Sequence, residues 1–240
     1  MRKISEVFIN GICLEKNLKD HEKREVIEME KKIDFEREVI EMEKKIAKGA
    51  SLAGASTTRE RVENDYYATP TSSTEALLEK VEFKGDFLEP CVGGGHIAEV
   101  IKKYYPKNKV YGLDLVDRGY PNTMVADFFE YDFNNQKFDS IVTNPPYSLA
   151  QEFLEKSMTI LNENGKIAMF LKIQFLEGVK REKMFKKFPP KYVYVFTKRQ
   201  NPWRNGSPLD ENGKPWSSTM CFAWFIWEEG FKGEPTLRWL

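Results

Sequence analysis

Short apolar runs alternate with helical segments over residues 64–240, and this pattern predicts a sheet with interleaved helices. The predicted strands are 86–89, 109–113, 123–126, 138–143, 166–171, 192–196 and 219–227. Helices are predicted to begin near Gly95, Ser148 and Phe175. The alternation favours an α/β domain with a doubly wound, mostly parallel sheet of seven strands. Ligands of such sheets bind beyond the carboxyl ends of the strands, so we expect chemistry in the loops after the first, second and fourth strands.

The segment before this domain has a different character. Residues 15–46 are dominated by Glu, Lys, Arg and sparse aliphatics without Pro or Gly, and they predict a long helix. The sequence REVIEMEKKI at 24–33 recurs thirteen residues later at 37–46. Thirteen residues rotate a helix by about 1300°, so the two copies cannot share one straight apolar stripe. A solvated charged arm and a helix for self-association or partner binding both remain open.

These observations predict three parts of the chain. We expect a charged helical arm over residues 1–48 and a linker of small and polar residues over 49–63. The α/β domain follows over 64–240, with a recognition loop at about 198–218. Trp224, Phe225, Trp227 and Trp239 are predicted to pack the final strand and the sheet edge.

Composition narrows the class of protein. The chain has 37 Lys and Arg against 37 Asp and Glu, which excludes a wholly basic polyanion binder. It contains neither an apolar run of membrane-spanning length nor a secretion signal, so we expect no membrane association. Cys13, Cys91 and Cys221 form no CxxC pair, so neither a disulfide scaffold nor a metal site is expected. The expectation is a reduced, soluble, cytoplasmic protein.

A glycine-rich loop lies between the first predicted strand and its helix. Its sequence is EPCVGGG at 89–95, and Asp114 follows Gly95 by nineteen residues at the end of the next strand. Glycines let the backbone turn sharply and approach a ligand closely. An acid at this position can accept hydrogen bonds from the ribose hydroxyls of a nucleoside-containing cofactor. The spacing matches neither GxGxxG nor a P-loop.

The tetrapeptide Asn144-Pro145-Pro146-Tyr147 directly follows the strand at 138–143. Two prolines fix φ and remove two donors, so the corner presents acceptors: the Asn144 side-chain oxygen and the Pro145 carbonyl. Tyr147 adds a flat apolar face beside them. Two acceptors and a stacking plate suit a planar group that carries an NH₂.

These motifs resemble those of S-adenosylmethionine-dependent amino-methyltransferases, specifically the small phage-type DNA adenine-N6 methyltransferases. Asn144–Tyr147 is similar to the family's catalytic motif, and Leu88–Gly95 to its first cofactor motif. Asp114 matches the acid after the second strand. Asp127-Phe128 matches the pair that borders the cofactor's adenine.

The resemblance extends upstream and covers roughly residues 64–240. Residues 65–70 (DYYATP) resemble a D-x-Y-x-T-P segment that packs over the methionine end of the cofactor. Three consecutive glycines at 93–95 replace the more usual G-x-G, and Asn144 replaces the Asp of many adenine enzymes.

The resemblance implies a Rossmann-like methyltransferase sheet, S-adenosylmethionine as cofactor and DNA as partner. The implied catalytic residues are Asn144, Pro145, Pro146 and Tyr147. The implied cofactor-binding residues are Tyr67, Thr69, Pro70, Glu89, Pro90, Cys91, Gly93, Gly95, Asp114, Leu115, Asp127 and Phe128. The implied reaction is direct in-line transfer to the N6 of an adenine flipped out of the duplex or single-stranded. Three readings remain open: this one, a methyltransferase acting on RNA or a protein glutamine, and a non-catalytic nucleic-acid-binding adaptor.

Charge segregates along the chain in a way that favours a nucleic-acid partner. Residues 172–204 contain ten Lys and Arg against two acids, whereas residues 75–140 contain eight against twelve. Within the loop 198–218 we predict DNA contacts from Lys198, Arg199, Trp203 and Arg204. The two tryptophans of this loop, Trp203 and Trp216, could equally anchor it to the protein surface.

Overall fold

The computed structural model of the chain describes residues 8–9, 12–13 and 66–240. The helix predicted over 15–46 and the linker predicted over 49–63 lie outside the described residues.

The chain divides into two units, Met1–Arg59 and Glu60–Leu240. In the first unit, strand β1 (Phe8–Ile9) pairs antiparallel with β2 (Ile12–Cys13). The second unit carries the motifs identified in the sequence.

The elements of the second unit alternate between strand and helix along most of its length. In chain order they are β3 (Tyr67–Ala68), α1 (Thr71–Leu78), β4 (Phe87–Glu89), α2 (His96–Tyr104), β5 (Val110–Asp114), β6 (Met124–Val125), β7 (Phe138–Thr143), α3 (Ala150–Thr159), β8 (Leu161–Lys172), α4 (Val179–Lys187), β9 (Tyr192–Val195), β10 (Trp203–Arg204), β11 (Phe222–Glu228) and β12 (Thr236–Trp239). Single 3₁₀ turns at Tyr147–Leu149 and Ile173–Leu176 precede α3 and α4.

Eight of these strands form one sheet in the order β12-β9-β11-β8-β7-β4-β5-β6. Only β11 runs antiparallel to its neighbours, and every other pair in the sheet is parallel. The short strands β3 and β10 pair with each other outside this sheet. The sheet has one strand more than predicted, because β12 adds to its edge beside β9.

Side chains alternate between two cores, one on each face of the sheet. In β8, Ile167 and Met169 pack on the face covered by α3, whereas Ala168 and Phe170 pack on the face covered by α1 and α2. Central strands buried on both faces are typical of doubly wound parallel sheets. No helix among the described residues is long and apolar enough to cross a membrane.

The predicted core of the final strand is partly correct. Trp224, Phe225 and Trp227 of β11 are fully buried. The prediction for Trp239 is wrong: its side chain is 63% exposed, because β12 is an edge strand that presents it to solvent.

Helix α1 was not predicted, and its buried face explains why. Ser73 and Thr74 are buried beside Leu77 and Leu78, so the face that packs on the sheet is half polar and lacks an apolar stripe. Ser73 Oγ donates to Gln200 Oε1 at 2.6 Å, whereas the Thr74 hydroxyl has no hydrogen-bond partner among the described residues. Helix α2, in contrast, buries Ile97, Val100 and Ile101 at the spacing that marks an amphipathic helix.

Candidate active site

The turn after β4 brings backbone N–H groups to the carboxyl edge of the sheet. Val92 N–H donates to the Leu113 carbonyl at 2.9 Å, and Gly93 N–H donates to Asp114 Oδ2 at 2.8 Å. Gly93 has a φ of +53°, and a Cβ there would lie 2.6 Å from the Tyr66 ring. The turn is therefore tied to the end of β5 and requires glycine at this position.

Asp114 ends β5 and holds this turn in place. Its Oδ2 accepts the Gly93 N–H, and its Oδ1 accepts the N–H of Val116 at 3.0 Å. A carboxylate has about four acceptor positions, so Asp114 can accept further hydrogen bonds from a hydroxylated ligand. The next residue, Leu115, has a side chain that is 61% exposed. An acceptor and an exposed apolar side chain thus lie side by side at the strand end.

Glu89 is a buried carboxyl at the end of β4, only 1% exposed. Burial raises the pKa of Glu89 well above its usual range; a hydrogen bond from Ala98 N–H opposes this, and the charge of Asp114 adds to it. Among residues 66–240, its Oε2 has no hydrogen-bond partner. An unpaired buried carboxylate is costly, so Glu89 is neutral unless a cationic group binds beside it.

Cys91 lies in the same turn. Burial, followed by the charge of Asp114, raises the pKa of the Cys91 thiol well above its usual range. A thiol that stays protonated is a poor nucleophile. Cys91 therefore contributes its backbone and volume to the turn and is not suited to covalent catalysis.

The Asn144-Pro145-Pro146-Tyr147 corner follows β7, which lies next to β4 in the sheet. Asn144 Nδ2 donates to the carbonyl of Tyr67 at 2.7 Å. This bond orients the amide so that Oδ1 remains an acceptor. The prolines bring no N–H groups, so Oδ1 and the Pro145 carbonyl form an acceptor pair.

Tyr147 begins the 3₁₀ turn after the corner. Its ring centroid lies 6.0 Å from that of Phe222, and Lys172 Nζ lies 4.9 Å from the Tyr147 centroid. Lys172 ends β8 and Phe222 begins the antiparallel β11, so both neighbours come from the same sheet edge as the corner. The edge thus carries a ring and a cation beside the acceptor pair.

The other predicted cofactor residues lie in β3, in the segment that follows it and in the glycine turn itself. Tyr67 lies in β3, and Thr69 and Pro70 connect that strand to α1, with both buried. Pro90 is buried within the turn, and Gly95 caps α2. Among the described residues, the hydroxyl of Thr69 has no hydrogen-bond partner.

The last two predicted cofactor residues, Asp127 and Phe128, differ in their exposure to solvent. Asp127 is exposed, and its Oδ1 accepts the Phe129 N–H at 2.8 Å. Phe128 is 3% exposed and stacks on Phe153 of α3 with the ring centroids 5.0 Å apart. Phe128 is therefore anchored in the core, and Asp127 lies on the surface beside it.

The predicted DNA-binding residues lie in two places. Lys198 is exposed, and the Arg199 guanidinium donates to the Thr219 carbonyl at 2.8 Å just before β11. Trp203 meets His96, the first residue of α2, edge-on with the centroids 5.4 Å apart. The Arg204 guanidinium lies 5.6 Å from the Trp216 ring.

Sequence reasoning missed Tyr66 and Arg118, which line an open cleft of about 520 Å³ beside the glycine turn. His96, Asp117, Asn205 and Gly206 complete its walls. The Arg118 guanidinium lies 4.1 Å from the Tyr66 ring centroid. Tyr66 occupies the variable position of the D-x-Y-x-T-P pattern, so the motif itself carried no signal for it.

Sequence comparison places the chain near a viral methyltransferase. No protein-family model matches the chain. Over 152 residues it is 27% identical to the type II methyltransferase M.CvrRI of Paramecium bursaria Chlorella virus XZ-6E. That match covers 50% of this chain and 39% of the viral protein, so the chain spans well under half the length of this relative.

Solved structures with the same fold include further methyltransferases. A putative class I S-adenosylmethionine-dependent methyltransferase from Listeria monocytogenes aligns with a TM-score of 0.52 and 16% identity, over 81% of this chain and 72% of that one. The M protein of the type I restriction enzyme EcoKI aligns with a TM-score of 0.50 and 14% identity, over 69% and 44% of the two chains. The second unit therefore has the class I methyltransferase fold, and the predicted doubly wound, Rossmann-like sheet is confirmed.

Proposed function

We propose that this chain transfers a methyl group from S-adenosylmethionine to the exocyclic N6 of adenine in DNA. The observation that carries this proposal is the bond from Asn144 Nδ2 to the Tyr67 carbonyl, which leaves Asn144 Oδ1 available as an acceptor. The likeness to a viral type II methyltransferase supports the class of reaction.

The residues around the glycine turn fit S-adenosylmethionine. The buried Glu89 oxygen that lacks a partner among residues 66–240 suits a cationic ligand, and this cofactor carries an ammonium and a sulfonium group. Asp114 has acceptor capacity for the ribose hydroxyls, and Leu115 offers an exposed apolar side chain to the adenine. The proposal also retains Tyr67, Thr69, Pro70, Pro90, Cys91, Gly93, Gly95, Asp127 and Phe128 around the cofactor. When bound, S-adenosylmethionine supplies an electrophilic methyl group.

The corner acts on the amine of the substrate. The lone pair of the adenine N6 is delocalised into the ring, so the amine is a poor nucleophile. Asn144 Oδ1 and the Pro145 carbonyl accept its two N–H bonds and hold the nitrogen toward tetrahedral geometry, which frees the lone pair for in-line attack. No general base is required, since a proton leaves after the nitrogen becomes cationic. Positioning and fixed dipoles supply the rate gain.

A base stacked inside a duplex cannot reach the corner, so the target adenine is flipped out or single-stranded. The Tyr147 ring stacks on the extruded base. The basic segment 172–204 supports binding to the phosphate backbone, because Met184 is the only residue of α4 that is fully buried and its lysines face solvent. Lys198, Arg199, Trp203 and Arg204 contact the DNA in this proposal.

We expect Tyr147→Ala to weaken substrate handling more than cofactor binding. Loss of one base–aromatic contact costs about 1–3 kcal/mol, which corresponds to a rise of about 5-fold to 150-fold in the KM for DNA. Steady-state kinetics with DNA and equilibrium binding of the cofactor measure the two effects separately. The matched control is Tyr147→Phe, which keeps the ring and should stay close to the wild type. Equal losses of DNA and cofactor affinity in Tyr147→Ala would contradict the stacking role.

Radiolabelled S-adenosylmethionine offered separately with unmethylated DNA, RNA and protein tests the proposed function. We expect label in DNA, recovered as N6-methyladenine in a nucleoside digest. If the label appeared in RNA or in a protein glutamine instead, that molecule would be the substrate, and the assignment to DNA would be wrong. Binding of DNA without any transfer would identify a non-catalytic adaptor.

A further inference from the structure

The side chain of Tyr66 lies directly on the glycine turn. Its hydroxyl accepts the Gly94 N–H at 3.0 Å, and its ring covers Gly93 so closely that a Cβ there would lie 2.6 Å away. On another side, the Arg118 guanidinium lies 4.1 Å from the ring centroid. Burial raises the pKa of Tyr66 above its usual value, so the hydroxyl keeps its proton. Tyr66 thus packs directly against the glycine turn, and this turn binds the cofactor in the proposed function.

The same residue also contacts the loop 198–218. The Tyr66 carbonyl accepts the Asn205 N–H at 3.1 Å, next to the pairing of β3 with β10. A Cβ on Gly206 would lie 2.8 Å from the Tyr66 hydroxyl, the atom that accepts the Gly94 N–H, so there is no space for a side chain between them. Strand β3 further links to the corner through the bond from Asn144 Nδ2 to the Tyr67 carbonyl. One side chain therefore contacts both the loop 198–218 and the glycine turn.

We propose that Tyr66 is a positioning residue that couples nucleic-acid binding at the loop 198–218 to cofactor binding at the glycine turn. The inference rests on the proposed function, which places DNA on this loop. DNA that holds Gly206 against Tyr66 keeps the Tyr66 hydroxyl on Gly94 and the turn in its present shape. DNA therefore tightens cofactor binding. By reciprocity, the cofactor tightens DNA binding by the same factor.

The test measures the dissociation constant of S-adenosylhomocysteine, the demethylated product, with and without long unmethylated duplex DNA. The ratio of the two constants is the coupling. In the wild type we expect a ratio of about five or more, the lower end of typical couplings between sites. Tyr66→Phe removes the hydroxyl and keeps the ring, and we expect its ratio to fall close to one.

A second variant tests the contact between the loop and the Tyr66 hydroxyl by changing the loop residue. Gly206→Ala places a methyl group against the Tyr66 hydroxyl and should also abolish the coupling. Its matched control is Gly230→Ala, because Gly230 has a similar φ of +79° against +74° but open space around its Cβ position. Gly230→Ala carries the same backbone strain and should keep the wild-type ratio.

The readout separates coupling from a merely structural role. A structural role would change both dissociation constants by the same factor and leave the ratio intact. A ratio of one in the wild type, or an unchanged ratio in Tyr66→Phe or Gly206→Ala, overturns the role of Tyr66 while methyl transfer to DNA still stands. Absence of any DNA binding or methyl transfer by the wild type overturns the proposed function itself, and this inference with it.

Discussion

Asn144→Ala is expected to lower the single-turnover rate of methyl transfer to DNA by about 10²-fold or more, the typical cost of losing one preorganised hydrogen-bonding group. The substitution removes Oδ1, which the proposed mechanism makes one of two acceptors for the substrate amine, and Nδ2, which donates to the Tyr67 carbonyl. Cofactor affinity should stay near the wild-type value, because Asn144 acts on the amine. Rapid-quench measurement with saturating cofactor and DNA reports the chemical step.

The matched control for this variant is Asn162→Ala. Asn162 Nδ2 donates to Asp139 Oδ1 at 3.1 Å near the amino end of β8, away from the corner, which lies at the carboxyl edge. Both variants lose an amide hydrogen bond, but only one lies at the corner. A single-turnover rate for Asn144→Ala within about threefold of the wild type would refute the assigned role, since removal of such a group ordinarily costs far more.

The position of the corner could be predicted from the sequence, but its orientation could not. Prolines at 145 and 146 dictate local backbone geometry, so a stiff acceptor corner after β7 follows from residue types alone. Which amide atom of Asn144 remains available to a ligand depends on the Tyr67 carbonyl, 77 residues earlier in the chain. Such a contact becomes visible only when the strands are placed in space.

The same division between local and distant information applies to the fold. The central strands β4, β5, β7, β8 and β11 each contribute buried apolar residues to the core, and each was predicted. The edge strand β12 lacks that signal, since all four of its residues are exposed. The two residues of β10 form a strand only through pairing with β3, which no local pattern encodes.

Tyr66 shows why part of the candidate site was missed. Its neighbours on either side belong to a motif, but its own contacts are with Gly94, Arg118 and Gly206, which are separated widely along the chain. The sequence did not decide between two roles for Trp203, because its contact is also with a residue distant in the chain. A tryptophan in a polar loop fits either nucleic acid or protein, and its contact with His96 depends on where the loop folds back.

Glu89→Gln is expected to weaken cofactor binding by about 10²-fold, because removing one partner of a buried ion pair costs several kcal/mol. The same substitution should stabilise the protein without cofactor at neutral pH. Burial raises the pKa of Glu89, so its contribution to stability is fully present below the ordinary pKa of a glutamate and is lost as pH rises through the raised value. Gln carries no charge to bury, so it avoids this loss. Thermal unfolding of the cofactor-free protein should show a higher Tm for the variant at pH 7 and little difference at pH 4.

The pH dependence of binding provides the sharper test of Glu89. A cation beside the carboxyl favours its ionised form, so cofactor binding releases a proton below the raised pKa, and affinity increases as pH rises toward that value. Calorimetry in two buffers of different ionisation enthalpy counts the protons released. The count should drop by about one in Glu89→Gln. Glu79→Gln, at an exposed position after α1, serves as the control and should leave affinity, Tm and proton release unchanged. If Glu89→Gln bound the cofactor as tightly as the wild type and released as many protons, Glu89 would not face the cationic group, and its burial would have to be explained by the fold alone.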